Sequence, residues 1–75
     1  MSSQEIIDIP IRDDMIRLGQ LLKLASLVDD GVEATELIKD GLVKVNGEID
    51  VRRGRQLHPG DTVTVKGETV RITKG

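Results

Sequence analysis

Leu42-Val43-Lys44-Val45-Asn46-Gly47-Glu48-Ile49-Asp50-Val51 is the stretch on which the fold turns. Two short runs rich in β-branched residues flank Asn46-Gly47, and that pair suits a type I′ turn because both central positions need positive φ. The spacing predicts a hairpin with strands over 42–45 and 48–51. Further on, Thr62-Val63-Thr64-Val65-Lys66 and Thr69-Val70-Arg71-Ile72-Thr73 alternate polar with apolar around Gly67-Glu68, which fits a second hairpin closed by a Gly-X type II′ turn. Pro59-Gly60-Asp61 marks the turn that separates the two.

Towards the N-terminus the period changes from two to about 3.6. Leu18, Leu21, Leu22, Ala25 and Val28 recur at helical spacing and predict a first helix from about Leu18 to Val28. Asp29-Asp30-Gly31 breaks it, and either aspartate can cap the next helix by accepting from its free N–H groups. Val32, Ala34, Leu37 and Ile38 give the short second helix a core face, Glu33 and Glu36 favour its first turns, and Gly41 suits the left-handed C′ position. Ahead of both helices, Arg12-Asp13-Asp14 reads as a turn. The run from Glu5 to Ile11, β-branched and interrupted by Pro10, reads as a short edge strand. The fold class is therefore α+β, with two short helices packed on a small, mainly antiparallel β-sheet.

With 75 residues the chain allows one small domain over 1–75 and no deep enzyme cleft. Ile, Leu and Val supply 24 of those residues, enough for an aliphatic core, and residues 1–4 are expected to be disordered. The absence of cysteine removes disulfides, thiolate zinc sites and thiol nucleophiles. No basic N-terminal region runs into an apolar stretch, so a soluble cytoplasmic protein is expected. The absence of Phe, Tyr and Trp excludes the aromatic platforms on which RRM and OB modules stack unpaired bases.

The net charge of −2 conceals an asymmetry. Residues 1–40 carry four basic and nine acidic side chains, whereas residues 41–75 carry seven basic and four acidic, so the second half is a candidate polyanion surface. Its centre is Val51-Arg52-Arg53-Gly54-Arg55. Planar guanidinium forks can engage phosphate oxygens bidentately, and Gly54 lets the backbone turn between them. Lys44, across the hairpin, can extend the patch. The bland alternative is a solvated loop whose arginines pair with Asp50 or the acidic helices.

Catalytic and metal chemistry lack parts. One histidine, His58, has no serine in a plausible place beside it, and Asp13-Asp14 and Asp29-Asp30 are adjacent pairs suited to caps and turns. No GxGxxG or Walker spacing occurs. No enzyme activity, metal or cofactor is expected.

The run from Leu18 to Val65 resembles the S4 RNA-binding domain, also called the αL RNA-binding motif. The match is carried by Leu18-Gly19-Gln20-Leu21-Leu22-Lys23, Glu33-Ala34 with Leu37-Ile38, Gly41 to Glu48, Arg52-Arg53-Gly54-Arg55 and Leu57-His58-Pro59-Gly60-Asp61-Thr62-Val63. Val45-Asn46-Gly47 followed some twelve residues later by Pro59-Gly60-Asp61 is its most recognisable pair. The likeness is greatest to free-standing, single-domain bacterial members. The resemblance implies two helices forming an αL motif on a curved sheet, with structured RNA, ribosomal or transfer RNA, gripped along the helices and adjoining hairpin, in ribosome assembly or translation. Many members place a Ser-Arg pair at the start of the second helix, where the arginine meets phosphate; this sequence has Asp30-Gly31 there. The RNA-binding set it implies is therefore Lys23, Lys44, Arg52, Arg53 and Arg55, with Gln20 and Asn46 as polar contacts and Arg17 and Lys39 as weaker candidates. A monomer is expected, with the ribosome or ribosomal proteins as further partners.

The alternative is a small β-grasp-type carrier or protein-interaction module, because Val-Asn-Gly-Glu before a Gly-Asp turn also occurs in sulfur carriers. Those end in a flexible Gly-Gly, where this sequence reads Thr73-Lys74-Gly75.

Overall fold

Asn46 and Gly47 take φ values of 52° and 86°. These are the two positive angles that a type I′ turn requires, and they join strands that pair Val45 with Glu48 and Lys44 with Ile49. The computed structural model describes residues 6–75. Its elements are β1 (Ile6–Ile11), β2 (Ile16–Arg17), α1 (Leu18–Leu24), α2 (Gly31–Lys39), β3 (Lys44–Val45), β4 (Glu48–Ile49), β5 (Gln56–Leu57), β6 (Thr62–Val65) and β7 (Glu68–Lys74). Five strands form one sheet in the order β1-β7-β6-β3-β4, and β2 pairs with β5 in a separate two-stranded ladder.

The sheet is antiparallel except at one edge, where β1 runs parallel to β7 with Ile6 opposite Thr69 and Ile11 opposite Lys74. The expected edge strand is thus an edge strand, a position that tolerates the missing N–H of Pro10. Its expected first residue, Glu5, and the disorder expected of residues 1–4 lie outside the described residues.

Alternation sends Val45, Val63, Val65, Val70 and Ile72 to one face of the sheet. There they meet Leu18, Leu21 and Leu22 of α1 and Ala34 and Ile38 of α2 in one buried cluster. Truncating any of the leucines to alanine there costs about 2–5 kcal/mol in comparable cores.

Three expectations need correction. The strands of the Asn46-Gly47 hairpin are Lys44–Val45 and Glu48–Ile49, shorter than the expected 42–45 and 48–51. The first helix stops at Leu24, not Val28. Ser26 turns left-handed at φ 59°, its N–H donates to the Lys23 carbonyl, and the Leu27 N–H donates to the Leu22 carbonyl. This is a Schellman stop with serine in the usual glycine position. Leu27 and Val28 are nevertheless buried, which is why their spacing continued the helical pattern. The same stop ends α2 as expected, with Gly41 at φ 73°.

The second hairpin turns on Lys66-Gly67, not Gly67-Glu68, with φ values of 54° and 77°, a type I′ geometry. Both registers would keep Val63, Val65, Val70 and Ile72 on one face, so alternation could not separate them. The observed register is held by the Lys66 ammonium, which donates to the Leu27 carbonyl at 3.0 Å and to Glu33 Oε2 at 2.9 Å. A 3.0 Å contact between the Thr64 and Thr69 hydroxyls adds to it.

The β2–β5 ladder was not anticipated. Two residues on each side are too few for a period to show, yet this ladder brings the start of α1 against the segment after the arginine run.

Replacing Ser26 with glycine relieves a left-handed side chain and should raise the unfolding free energy by about 1 kcal/mol. Urea denaturation of the S26G variant checks this; an unchanged or lower midpoint would contradict the assigned helix stop.

Candidate nucleic-acid interface

The arginine run is organised by one acid. The Asp50 N–H donates to the Val43 carbonyl at 3.1 Å, extending the hairpin pairing past β4 and turning the side chain inward. Asp50 is the one buried charged residue among the described residues, 7% exposed. Its Oδ1 accepts from the Arg52 backbone N–H at 2.9 Å and from Arg52 Nε at 3.2 Å. Its Oδ2 accepts from Arg52 Nη2 at 3.0 Å and Arg55 Nη1 at 2.6 Å. The Arg52 guanidinium foremost, aided by the Arg52 N–H and Arg55, holds this carboxyl far below the usual carboxylate range although burial alone would raise it. The same contact raises the pKa of Arg52. The bland reading of the loop is therefore half met, because Arg52 and Arg55 do pair with Asp50.

Arg52 to Arg55 then close a tight turn, with the Arg55 N–H donating to the Arg52 carbonyl at 3.1 Å and Arg53-Gly54 at its tip. The carbonyls of Arg55 and Arg53 accept from the N–H groups of Leu18 at 2.9 Å and Gly19 at 3.1 Å. These are first-turn donors of α1 that the helix cannot satisfy internally. Arg17 Nη1 donates to the Gly54 carbonyl at 3.2 Å, and the Arg17 N–H donates to Gln20 Oε1 at 3.3 Å. The turn caps the helix.

This docking lays the Arg53 side chain across α1. A Cβ added at Gly19 would stand 3.1 Å from Arg53 Cγ, and one at Gly31 would stand 3.9 Å from Arg53 Nη2. The absence of side chains at 19 and 31 leaves a cleft of about 420 Å³ lined by Arg17, Gly19, Gln20, Lys23, Gly31, Ala34, Arg53 and Gly54. Asp30 does not face it as a free acid. It caps α2, with Oδ1 accepting from the Glu33 N–H at 2.8 Å.

Ion pairing elsewhere decides which cations stay available. Arg71 pairs with Asp8 at 2.9 Å, Lys66 with Glu33, and Lys74 with Asp14. Each pair joins the acidic half of the chain to the basic half, so most of the charge asymmetry is neutralised within the fold. Among the described residues Arg12, Arg17, Lys23, Lys39, Lys44 and Arg53 have no ion-pair partner, and Arg17, Lys23 and Arg53 all line the cleft beside Gly19 and Gly31.

Of the residues singled out in the sequence, Gln20, Lys23 and Arg53 meet in the cleft. Arg52 and Arg55 stand on the far side of the turn, where they line a second concavity with Gln56 and His58. Lys44 lies elsewhere, opposite Thr64 and Ile49 on the outer face of the sheet. Asn46 is engaged internally: its Oδ1 accepts from the Thr62 N–H at 2.9 Å and its Nδ2 donates to Asp61 Oδ1 at 3.2 Å. That bond links the Asn46-Gly47 and Pro59-Gly60-Asp61 turns directly, a physical reason for the two motifs to occur together. Arg17, rated low in the sequence, is part of the cleft because β2 and the helix start fix it there. No sequence period could have shown that.

Two helices meeting beside a hairpin, with a basic turn docked on the first helix, make this an αL-type α+β domain. The chain belongs to the S4 domain family, whose profile matches residues 9–73. It is 46% identical over 59 residues to the "Probable ribosome maturation protein RlbA" of Bacillus subtilis, covering 79% of this chain and 83% of that protein. It is 33% identical over 57 residues to YbcJ of Escherichia coli, covering 76% and 81%. The solution structure of YbcJ, described as revealing an αL motif involved in RNA-binding, superposes with a TM-score of 0.66 at 29% identity over 97% of this chain and 91% of YbcJ. Ribosomal protein S4e from Thermoplasma acidophilum superposes with a TM-score of 0.61 at 26% identity, over 80% of this chain but only 32% of S4e. RlbA and YbcJ are of the free-standing bacterial type that the sequence resembled.

Asn46→Ala should cost about 2–3 kcal/mol, from lost hydrogen bonds and an alanine forced to positive φ. Chemical denaturation measures it, and an unchanged stability would contradict the turn-to-turn role. Acid should also destabilise the fold. Asp50, Asp14 (bonded to Lys74) and Glu33 (bonded to the Asp29 N–H and Lys66) all titrate below their ordinary values. Their contribution is full above the ordinary values of 3.8 for Asp and 4.5 for Glu and is lost as pH falls through and below them. Urea midpoints should decline steadily on acidification, and less steeply in Asp50→Asn.

Proposed function

We propose that this chain is a single, non-catalytic RNA-binding domain that grips structured RNA, ribosomal RNA foremost, by its phosphates. The observation that carries the reading is the convergence of Arg17, Lys23 and Arg53, cations without acidic partners among the described residues, on one glycine-walled cleft. Glycines at 19 and 31 leave room for the Arg53 side chain across the helices, and three cations can position successive phosphates. Gln20 adds a polar contact at the cleft wall, while Arg52, which is 68% exposed, and Arg55 extend the basic rim. Lys44 would be reached only by an RNA that wraps around the hairpin. Asn46 contributes by holding the two turns together.

The Ser-Arg pair that the family resemblance places at the start of the second helix has a replacement here. Arg53 reaches across Gly19 to the vicinity of Gly31, so a guanidinium stands at the corner between the helices although none is encoded there. The names of RlbA and YbcJ, ribosome maturation and RNA-binding, support this reading and a ribosomal target. With no aromatic residue in the chain, recognition rests on phosphate position and RNA shape. The carrier alternative finds no comparable support among the relatives, whose names speak of ribosome maturation and RNA-binding.

Binding to purified bacterial ribosomal RNA should weaken with salt at a logarithmic slope of about −2 to −4, the value for roughly three to five phosphates. An Arg17→Ala, Lys23→Ala, Arg53→Ala triple variant should flatten that slope by about 2, whereas Lys44→Ala should leave it unchanged. Unaltered binding in the triple variant would remove the cleft from the mechanism.

A further inference from the structure

Asp50 carries the wrong charge for a neighbour of an RNA surface, and simple electrostatics would have it weaken binding. The geometry points to the opposite: Asp50 is a positioning residue whose carboxylate folds Val51–Arg55 into the turn that presents Arg53 to RNA. This inference rests on the RNA-binding reading above and adds a residue to it.

The bonds of the carboxylate fall on both ends of the turn. Oδ1 holds the Arg52 main chain and Nε, and Oδ2 holds Arg52 Nη2 and Arg55 Nη1, so the two residues that close the turn share one anchor. Three guanidinium groups within four positions would otherwise repel one another and leave a glycine-containing loop free to spread. Pairing the outer two on Asp50 removes that repulsion and leaves Arg53 at the tip. The tip is then fixed by the Arg53 and Arg55 carbonyls on the Gly19 and Leu18 N–H groups, which sets the Arg53 side chain over Gly19. Asp50 itself is buried beneath the turn and keeps its carboxylate away from the cleft, whose lining does not include it. The acid thus acts on RNA only through the arginine it places, as supporting residues do for a preorganised site.

The test compares wild type, Asp50→Asn, Arg53→Ala and the double variant for binding to purified bacterial ribosomal RNA across a salt series. Asp50→Asn makes the chain one unit more positive, yet it should bind about tenfold more weakly, with a salt slope smaller by about 0.7 because one phosphate contact is lost. In the Arg53→Ala background it should add no further loss, the signature of action through Arg53. Binding by Asp50→Asn as tight as wild type or tighter, with Arg53→Ala weakened, would overturn the positioning role and leave the RNA reading standing. Wild-type protein without salt-sensitive RNA binding would overturn the RNA reading itself, whereas an Arg53→Ala variant that binds normally would overturn the positioning role, since Asp50 would then place no residue that RNA meets. Should circular dichroism show Asp50→Asn unfolded, Asp50→Glu takes its place in the cycle, because it keeps the net charge and a carboxylate for the two arginines while its extra methylene displaces the turn. A loss that disappears in the Arg53→Ala background supports the role, and one that persists overturns it.

Discussion

A single buried carboxylate, that of Asp50, determines how the basic segment of this protein meets its helices. It lies at the end of the first hairpin, where one further backbone bond to Val43 carries it inward. An unpaired charge there would be costly, and the two arginines that satisfy it are those that open and close the next turn. From that pairing follow the turn, the capping of α1 by the carbonyls at 53 and 55, the seat of Arg53 against Gly19, and the cleft between the helices. A helix of seven residues is too short to stand alone in water, so the turn that caps α1 also supports it.

The same accounting explains why net charge is a poor guide to this surface. Asp8–Arg71 ties β1 to β7, Asp14–Lys74 ties the loop after β1 to the end of β7, and Glu33–Lys66 ties α2 to the second hairpin. The side chains of these pairs are 36% to 92% exposed, and individually the pairs contribute little stability. Their larger effect is to neutralise much of the basic half, so that Arg17, Lys23 and Arg53 are set apart by lining one cleft with no ion-pair partner among the described residues.

Much of this architecture was legible in the sequence because it is written in local chemistry. Asn46-Gly47 can close only a few kinds of turn, Gly41 and Asp30 mark the ends of α2, and alternating valines place β6 and β7 on a core. What was not legible depends on contacts between distant segments. Ser26 ends α1 where Leu27 and Val28 still look helical, the second hairpin shifts by one residue because Lys66 finds Leu27 and Glu33, and β2 with β5 is too short to carry a period. The site divides in the same way. The arginine run was visible as composition, and the pairing of Arg52 and Arg55 with Asp50 was foreseeable as an alternative. The meeting of Arg17, Lys23 and Arg53 was not, because residue 17 and residue 53 are brought together by a ladder and a helix cap.

The central claim is that this cleft, and not the charged half of the sequence as a whole, is where RNA lies. Hydrogen exchange of the protein with and without purified bacterial ribosomal RNA, read peptide by peptide, tests it directly. Protection confined to residues 17–24, 30–34 and 50–56 is the predicted result. Protection concentrated on β6 and β7, with the segment 50–56 exchanging as fast as in the free protein, would contradict it.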